Sequence, residues 1–380
     1  MIVAGEASGD MHGANLIREM KKMAQVRVYG MGGKDLATQG VEILFDASRL
    51  AVVGLSEVFS HLGDLRKAQR VLAKRLESNR PALLILIDFP DFNLMLAKKA
   101  KLLGIPVFYY ISPQVWAWRS GRVKKISRLV DKMAVILPFE EAFYKQRGMD
   151  VEFVGHPLLD TVKRQTDPED FLASLGIRGG GQRIVGLLPG SRRKEIRTML
   201  PLFLAAAKRI QKSIPETLFL LPIASTITLD ELNESGLAQS TVPVIPVEGH
   251  RYDLMAACEV VMAASGTVTL ELGILGIPMV VSYRVSPLSY AIIKRLSQSK
   301  YISLLNLVAG CQVVPELIQD AATPESLSEA LVTLLSDKAQ SSKMKEEIAW
   351  VIGMLGERGA SSRVAQLALA LASDQTRISH

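Results

Sequence analysis

ALLILIDFPDFNLMLAKKAKLLGIPVFYYI, residues 82–111, decides the fold. The run Leu83–Ile87 is apolar at every position, which fits a strand buried on both faces rather than on one. It ends in Asp88, and a helical pattern begins near Phe92. A second apolar run follows at 106–110. Strand, helix and strand in this spacing make the β-α-β unit of a parallel sheet. Asp88 therefore stands where a buried strand reaches the surface, with Asp91 and Asn93 close behind it.

The same alternation runs through the chain. Expected strands are 1–4, 26–30, 41–45, 83–88, 106–110, 133–136 and 151–154, and then 183–188, 217–222, 242–246, 259–263 and 278–282. The segments between them carry helical spacing, as in GANLIREMKKM and LPLFLAAAKRIQKSI. The series breaks between Gly155-His156-Pro157 and Gly179-Gly180-Gly181. The expected class is α/β, with two Rossmann-like, doubly wound parallel-sheet domains facing a cleft. The domains are placed at 1–165 and 166–345, with a helical tail, 346–380, packing back across them. The stretch 324–373 reads as helices, and TPESLSEALVTLLSD, 323–337, carries a capping signal at Thr323.

Bulk properties narrow the function. The 380 residues are 48% apolar, enough for a substantial core. The two cysteines, Cys258 and Cys311, lie in apolar surroundings without CxxC or metal spacing, which fits a reducing compartment. No secretory leader is expected at the N-terminus. The longest apolar stretch, 272–283, is interrupted by Gly273, Gly276 and Pro278 and is too short to span a bilayer. Net charge is +7, and nine Lys or Arg fall between Lys98 and Lys132 against one acid, Asp131. Such a cluster suits an anionic surface, and equally a solvated helix flank.

In open α/β sheets ligands bind beyond the carboxyl ends of the strands, so chemistry is sought in those loops. GEASGDMHGA, 5–14, follows the first strand. Glu6 and Asp10 would repel a phosphate and suit a hydroxyl-bearing ligand; the alternative is an ordinary turn capped by Ser8 or Asp10. At the second loop, burial and a neighbouring carboxylate would raise the Asp88 pKa and make it a general base. The alternative is that Asp88 and Asp91 only cap the helix. LLPGSRRKEI, 187–196, places Gly190, Ser191 and Arg192 at a helix start. Three successive cations there are poor partners for the helix dipole unless an anion binds. In AASGTVTLE, Ser265, Gly266 and Thr267 offer N–H groups and hydroxyls to a pyrophosphate, with Glu271 one turn on for a ribose diol. There is no P-loop, no HExxH and no Asp-x-Asp, so neither cofactor nor metal is expected, and a cation and helix dipoles must stabilise a leaving diphosphate.

GEASGD, DFPDFN, SPQVWAWR (112–119), GHPLLD, LLPGSR, AASGTVTLE and NLVAG (306–310) occur in this order across nearly the whole chain. Together they resemble the lipid-A-disaccharide synthase family of GT-B glycosyltransferases. The resemblance implies a UDP-2,3-diacylglucosamine donor and a 2,3-diacylglucosamine 1-phosphate acceptor (lipid X). It implies inverting, metal-independent transfer to a β-1,6 disaccharide 1-phosphate, on the cytoplasmic face of a Gram-negative inner membrane. It further implies Asp88 as base and Arg192 as the diphosphate contact. Ser265, Gly266, Thr267, Glu271 and Asn306 would fall at the nucleotide, and Glu6, Ser8 and Asn93 in acceptor-side loops. Family members can pair as homodimers through their C-terminal domains. Leu305 departs from the family's usual Pro before the asparagine. Val58, Phe59, Leu62 and Leu65 lie at helical spacing, and read either as a membrane-inserting patch or as a core-facing stripe.

Three other readings compete. One is another GT-B enzyme, either a UDP-GlcNAc epimerase or a transferase for a soluble acceptor; SPQVWAWR and the apolar patch argue against it. Another is an inactive binding module, against which intact Asp88 and Arg192 stand. The third is a nucleic-acid binder, which no recognised motif supports, so no nucleic-acid partner is expected.

Overall fold

The computed structural model describes residues 1–49, 62–118, 120–177, 181–286, 290, 295 and 299–378. The chain divides into two compact units, Met1–Pro157 with Leu355–His380, and Leu158–Met354.

The first unit is built on seven parallel strands: β1 (Ile2–Ala4), β2 (Tyr29–Gly32), β3 (Glu42–Asp46), β4 (Leu84–Ile87), β5 (Val107–Tyr110), β6 (Lys132–Val135) and β7 (Glu152–Phe153). Their order is β3-β2-β1-β4-β5-β6-β7, with Val3 opposite Leu86. Side chains alternate across a strand, so one apolar run feeds two cores. Leu84 and Leu86 enter the core under helices Leu62–Ser78, Pro90–Leu102 and Val123–Leu129. Leu83, Ile85 and Ile87 enter the opposite one, with Leu16 and Ile17 of helix Ala7–Met23 and Val364, Ala365 and Ala368 of the last helix, Ala360–Ile378. The uninterrupted apolar run thus follows from burial on both sides. Arg363 ties the last helix to the sheet, donating to the carbonyl of Val154 at 2.9 Å.

The second unit has six parallel strands: β8 (Arg183–Leu188), β9 (Thr217–Ile223), β10 (Val244–Glu248), β11 (Val260–Ala264), β12 (Met279–Tyr283) and β13 (Glu316–Ile318), in the order β10-β9-β8-β11-β12-β13. All twelve expected strands form, and β13 is an addition. It has three residues, all half-buried, too short to give a pattern. Helices Pro324–Ser336 and Lys338–Met354 close the unit. At the first of these, Thr323 Oγ1 accepts from the N–H of Ser326 at 3.1 Å, which makes the capping signal real.

Each sheet reverses its strand order once, between β1 and β4 and between β8 and β11. Ligands gather at such switch points in open α/β sheets. The loops after β1 and β4 carry Glu6 and Asp88, and those after β8 and β11 carry Arg192 and Ser265–Thr267.

Candidate active site

At the first switch point the helix starts at Pro90 instead of near Phe92, and its N-cap is Phe89. Neither Asp88 nor Asp91 caps it through its side chain, which removes the reading in which both aspartates serve only as caps. Asp88 and Phe89 both adopt left-handed backbone conformations, with φ of 44° and 46°. The carbonyl of Asp88 holds this turn, accepting from Asn93 Nδ2 at 2.7 Å and from the Tyr109 hydroxyl at 2.5 Å. Asn93 Nδ2 also donates to the carbonyl of Ile87 at 3.2 Å. Asn93 is wholly buried, so it clamps the turn from behind. Asp91 is exposed and pairs with Arg122 at 2.8 Å.

The Asp88 carboxyl is pushed up to about 6, mainly by burial and then by the charge of Glu6. Glu6 and Ser8 are exposed at the start of helix Ala7–Met23, where Glu6 is the N-cap residue but its side chain makes no capping hydrogen bond. Asp10 turns away and accepts from the N–H groups of Gly33, Asp35 and Leu36, so it anchors the following helix instead. The loops after β1 and β4 touch closely: a Cβ on Gly5 would lie 2.4 Å from the ring of Phe89.

The SPQVW segment after β5 is anchored by a residue that sequence reasoning missed. Glu140 is buried and accepts from Ser112 Oγ at 2.5 Å, Trp116 Nε1 at 3.2 Å and the N–H of Leu137 at 3.0 Å. Burial raises its carboxyl to about 7 against these donors. Its only local signal was the PFEE helix start.

At the second switch point Gly190 has φ 117°, and Arg192 is the N-cap of helix Arg193–Ser213. The Arg192 side chain is 77% exposed and pairs with Glu195 at 3.1 Å. On the neighbouring strand end, Ser265 Oγ donates to the carbonyl of Ile302 at 3.0 Å, Gly266 has φ 154°, and Thr267 opens helix Val268–Ile274. Glu271 on that helix is buried and paired with Arg251, a partner twenty residues away that the sequence did not reveal. Burial raises its carboxyl, and the Arg251 charge opposes the rise.

Asn306 is wholly buried, and its amide is used internally. Nδ2 donates to the Val314 carbonyl and to Glu316 Oε1, at 2.9 and 2.8 Å, and Oδ1 accepts from the N–H groups of Val313 and Val314. It closes the loop ahead of β13. Leu305 is also buried, and a Cβ on Gly273 would lie 2.7 Å from its Cδ1. Of the apolar row, Val58 and Phe59 lie outside the described residues, Leu62 begins helix Leu62–Ser78, and Leu65 is half-buried against the core.

A family model described as Lipid-A-disaccharide synthetase matches residues 1–370. The chain belongs to the lipid-A-disaccharide synthase family. It is 46% identical to the lipid-A-disaccharide synthase of Geobacter sulfurreducens, over 99% of this chain and 97% of that one. The enzyme of that name from Nitrosococcus oceani is 47% identical, over 97% and 95%. Among solved structures, the UDP-GlcNAc 2-epimerase of Neisseria meningitidis bound to UDP-GlcNAc superposes with a TM-score of 0.66 at 13% identity, covering 97% of this chain and 99% of that one. The kitacinnamycin glycosyltransferase superposes at 0.64 and 17% identity, covering 95% of each chain. At these identities the likeness is one of fold, and it is the GT-B fold. Sequence identity places the chain with the synthase family and not with the epimerases.

Proposed function

We infer that this chain joins UDP-2,3-diacylglucosamine to 2,3-diacylglucosamine 1-phosphate, releasing UDP and the β-1,6-linked disaccharide 1-phosphate. Identity of 46% over almost the full length of a lipid-A-disaccharide synthase carries the reading. Asp88, half-buried and pushed up to about 6, supports it, being a base able to hold a proton near neutral pH. It takes the proton of the acceptor 6-hydroxyl as that oxygen bonds to the donor's anomeric carbon from the face opposite the diphosphate. The bond from that carbon to the diphosphate oxygen breaks, and UDP leaves with the electron pair. Arg192 and the N–H groups of the Ser265–Thr267 loop meet the charge that develops on the leaving group. Glu271 takes the ribose diol. Asn306 supports the nucleotide side as a loop closure, not as a contact.

Among the described residues no helix is long and apolar enough to cross a membrane. With acylated substrates, the protein works as a peripheral enzyme on the anionic cytoplasmic face of the inner membrane, and self-association is proposed by family resemblance.

The deciding experiment supplies the purified protein with both substrates in EDTA and reads the product by mass spectrometry. A disaccharide 1-phosphate is the expected product. No product, with UDP binding intact by calorimetry, would overturn the acceptor assignment.

A further inference from the structure

The turn that presents Arg192 is organised around a carboxylate to which no role has been given. Glu195 lies one turn into helix Arg193–Ser213, with only 16% of its side chain exposed. Its Oε2 accepts from the N–H groups of Ser191 and Arg192, at 3.1 and 3.3 Å. Its Oε1 accepts from Arg192 Nη1 at 3.1 Å and lies 3.5 Å from the hydroxyl of Tyr283. Gly190 leaves the room for this: a Cβ there would lie 2.5 Å from Glu195 Oε2.

A residue three positions into a helix often reaches back to the N-cap N–H. Glu195 does more than that. It holds the N–H before the cap, the guanidinium of the cap residue, and a tyrosine from another strand. Tyr283 ends β12, two strands from β8, and between them lies β11 with the Ser265–Thr267 loop at its end. Glu195 therefore links the strand ends on both sides of that loop. The selection of Arg192 is also specific, since Arg193 pairs with Glu231 on helix Leu229–Glu234, at 2.6 Å.

We propose that Glu195 is the positioning residue of the diphosphate site, acting through Arg192. This rests on the reading of Arg192 as the diphosphate contact. A long exposed arginine loses rotamer freedom when it binds an anion, and a fixed partner removes part of that loss beforehand. The guanidinium has five donors in a planar fork, so a carboxylate on one edge leaves the others for phosphate oxygens. One negative charge also lowers the repulsion among Arg192, Arg193 and Lys194 at the positive end of a helix.

The test is calorimetric titration of UDP, and of uridine, into the intact protein and four variants: Arg192→Ala, Glu195→Ala, Glu195→Gln and the Arg192→Ala/Glu195→Ala double. Glu195→Ala is expected to weaken UDP about tenfold, the value of one charge-assisted contact. Uridine affinity should be unchanged. Glu195→Gln, which keeps an acceptor and the shape, should lose less. In the Arg192→Ala background Glu195→Ala should add nothing. An equal loss in that background would make Glu195 merely structural, and tighter UDP binding by Glu195→Ala would make it a competitor for the site; either overturns the proposal. If Glu195→Ala does not fold, as judged by circular dichroism, Glu195→Gln with and without Arg192→Ala decides in the same way. Unchanged UDP affinity in Arg192→Ala alone would instead remove the reading on which the proposal rests.

Discussion

Asp88 and Phe89 are consecutive residues with side chains, held in a backbone region that costs each about 1–2 kcal/mol. Three hydrogen bonds, from Asn93 to two carbonyls and from Tyr109 to one, stabilise that turn and keep the carboxyl where the strand emerges. The carboxyl sits at about 6 because burial and then Glu6 disfavour its charged form. A base works only when deprotonated, so kcat/KM should rise with pH through about 6 and level off above it. Glu6→Gln removes the second cause, and should move that rise to lower pH. Asp88→Ala should lower kcat by about 100-fold or more while UDP still binds. A pH-rate profile of the three proteins reads all of this. A rise that stays in place in Glu6→Gln would separate the two carboxylates, and loss of UDP affinity in Asp88→Ala would make the aspartate structural.

Helix Pro90–Leu102, which starts at this turn, has an outer face unlike that of an ordinary solvated helix. Asp91, Met95, Lys98 and Leu102 form one exposed stripe, in which Met95 is 58% and Leu102 76% exposed. Helix Val123–Leu129 packs beside it and exposes Lys124, Lys125 and Arg128. Apolar side chains among cations suit the interface of an anionic bilayer. Met95→Ser with Leu102→Ser, or Lys98, Lys124 and Lys125 all to Ala, should release the protein from phosphatidylglycerol vesicles in a sedimentation assay, the charge variant losing its salt dependence. Unchanged sedimentation in both, or no sedimentation of the intact protein, would count against the proposed membrane contact at this face. The sequence showed the cations of this face and missed the exposed Met95 and Leu102, because their exposure depends on which helix covers which strand. The same holds elsewhere. Continuous apolar runs made inner strands such as β4, β5 and β11 legible, since burial on both faces leaves a local pattern, while β3, β7 and β10 are only partly buried. Glu140 with Ser112, and Arg251 with Glu271, are pairs made by strand order and leave none. Asn306 was legible as a special residue, but not as one whose amide closes its own loop.

Titratable groups of the first unit pull its acid response in opposite directions: burial lowers the Met1 amino group to about 5, on the same side as two histidines, and two carboxyls oppose them. Burial lowers His12 to about 4 and His156 to about 3, the latter also through His12. Burial raises Glu140 to about 7 and Asp88 to about 6. A lowered histidine means that the unfolded chain takes up its proton first, so stability falls as pH drops below about 6.5 and until the folded value is reached. A raised carboxyl means that the folded chain takes up the proton first, so stability grows as pH falls through the folded value toward about 4. Each group contributes at most about 1.4 kcal/mol per pH unit within its window. Between about pH 6.5 and 4.5 two slopes of each sign largely offset. Below about 4.5 the Glu140 contribution is complete and that of Asp88 ends near 4, while the histidines go on losing stability down to their folded values of about 4 and about 3. The contribution of these four side chains should therefore be nearly flat in mild acid and fall by about the slope of one group below it. His12→Asn with His156→Asn should turn the slope between about pH 6.5 and 4.5 toward a rise on acidification, and Glu140→Gln should turn it toward a fall, each relative to the intact protein. Urea unfolding at half-unit steps from pH 7 to 4 measures the slopes. A constant destabilisation from either substitution moves the curve without changing its shape, so the slope alone decides. Parallel curves in all three proteins would mean that these groups titrate alike in the folded and unfolded chains.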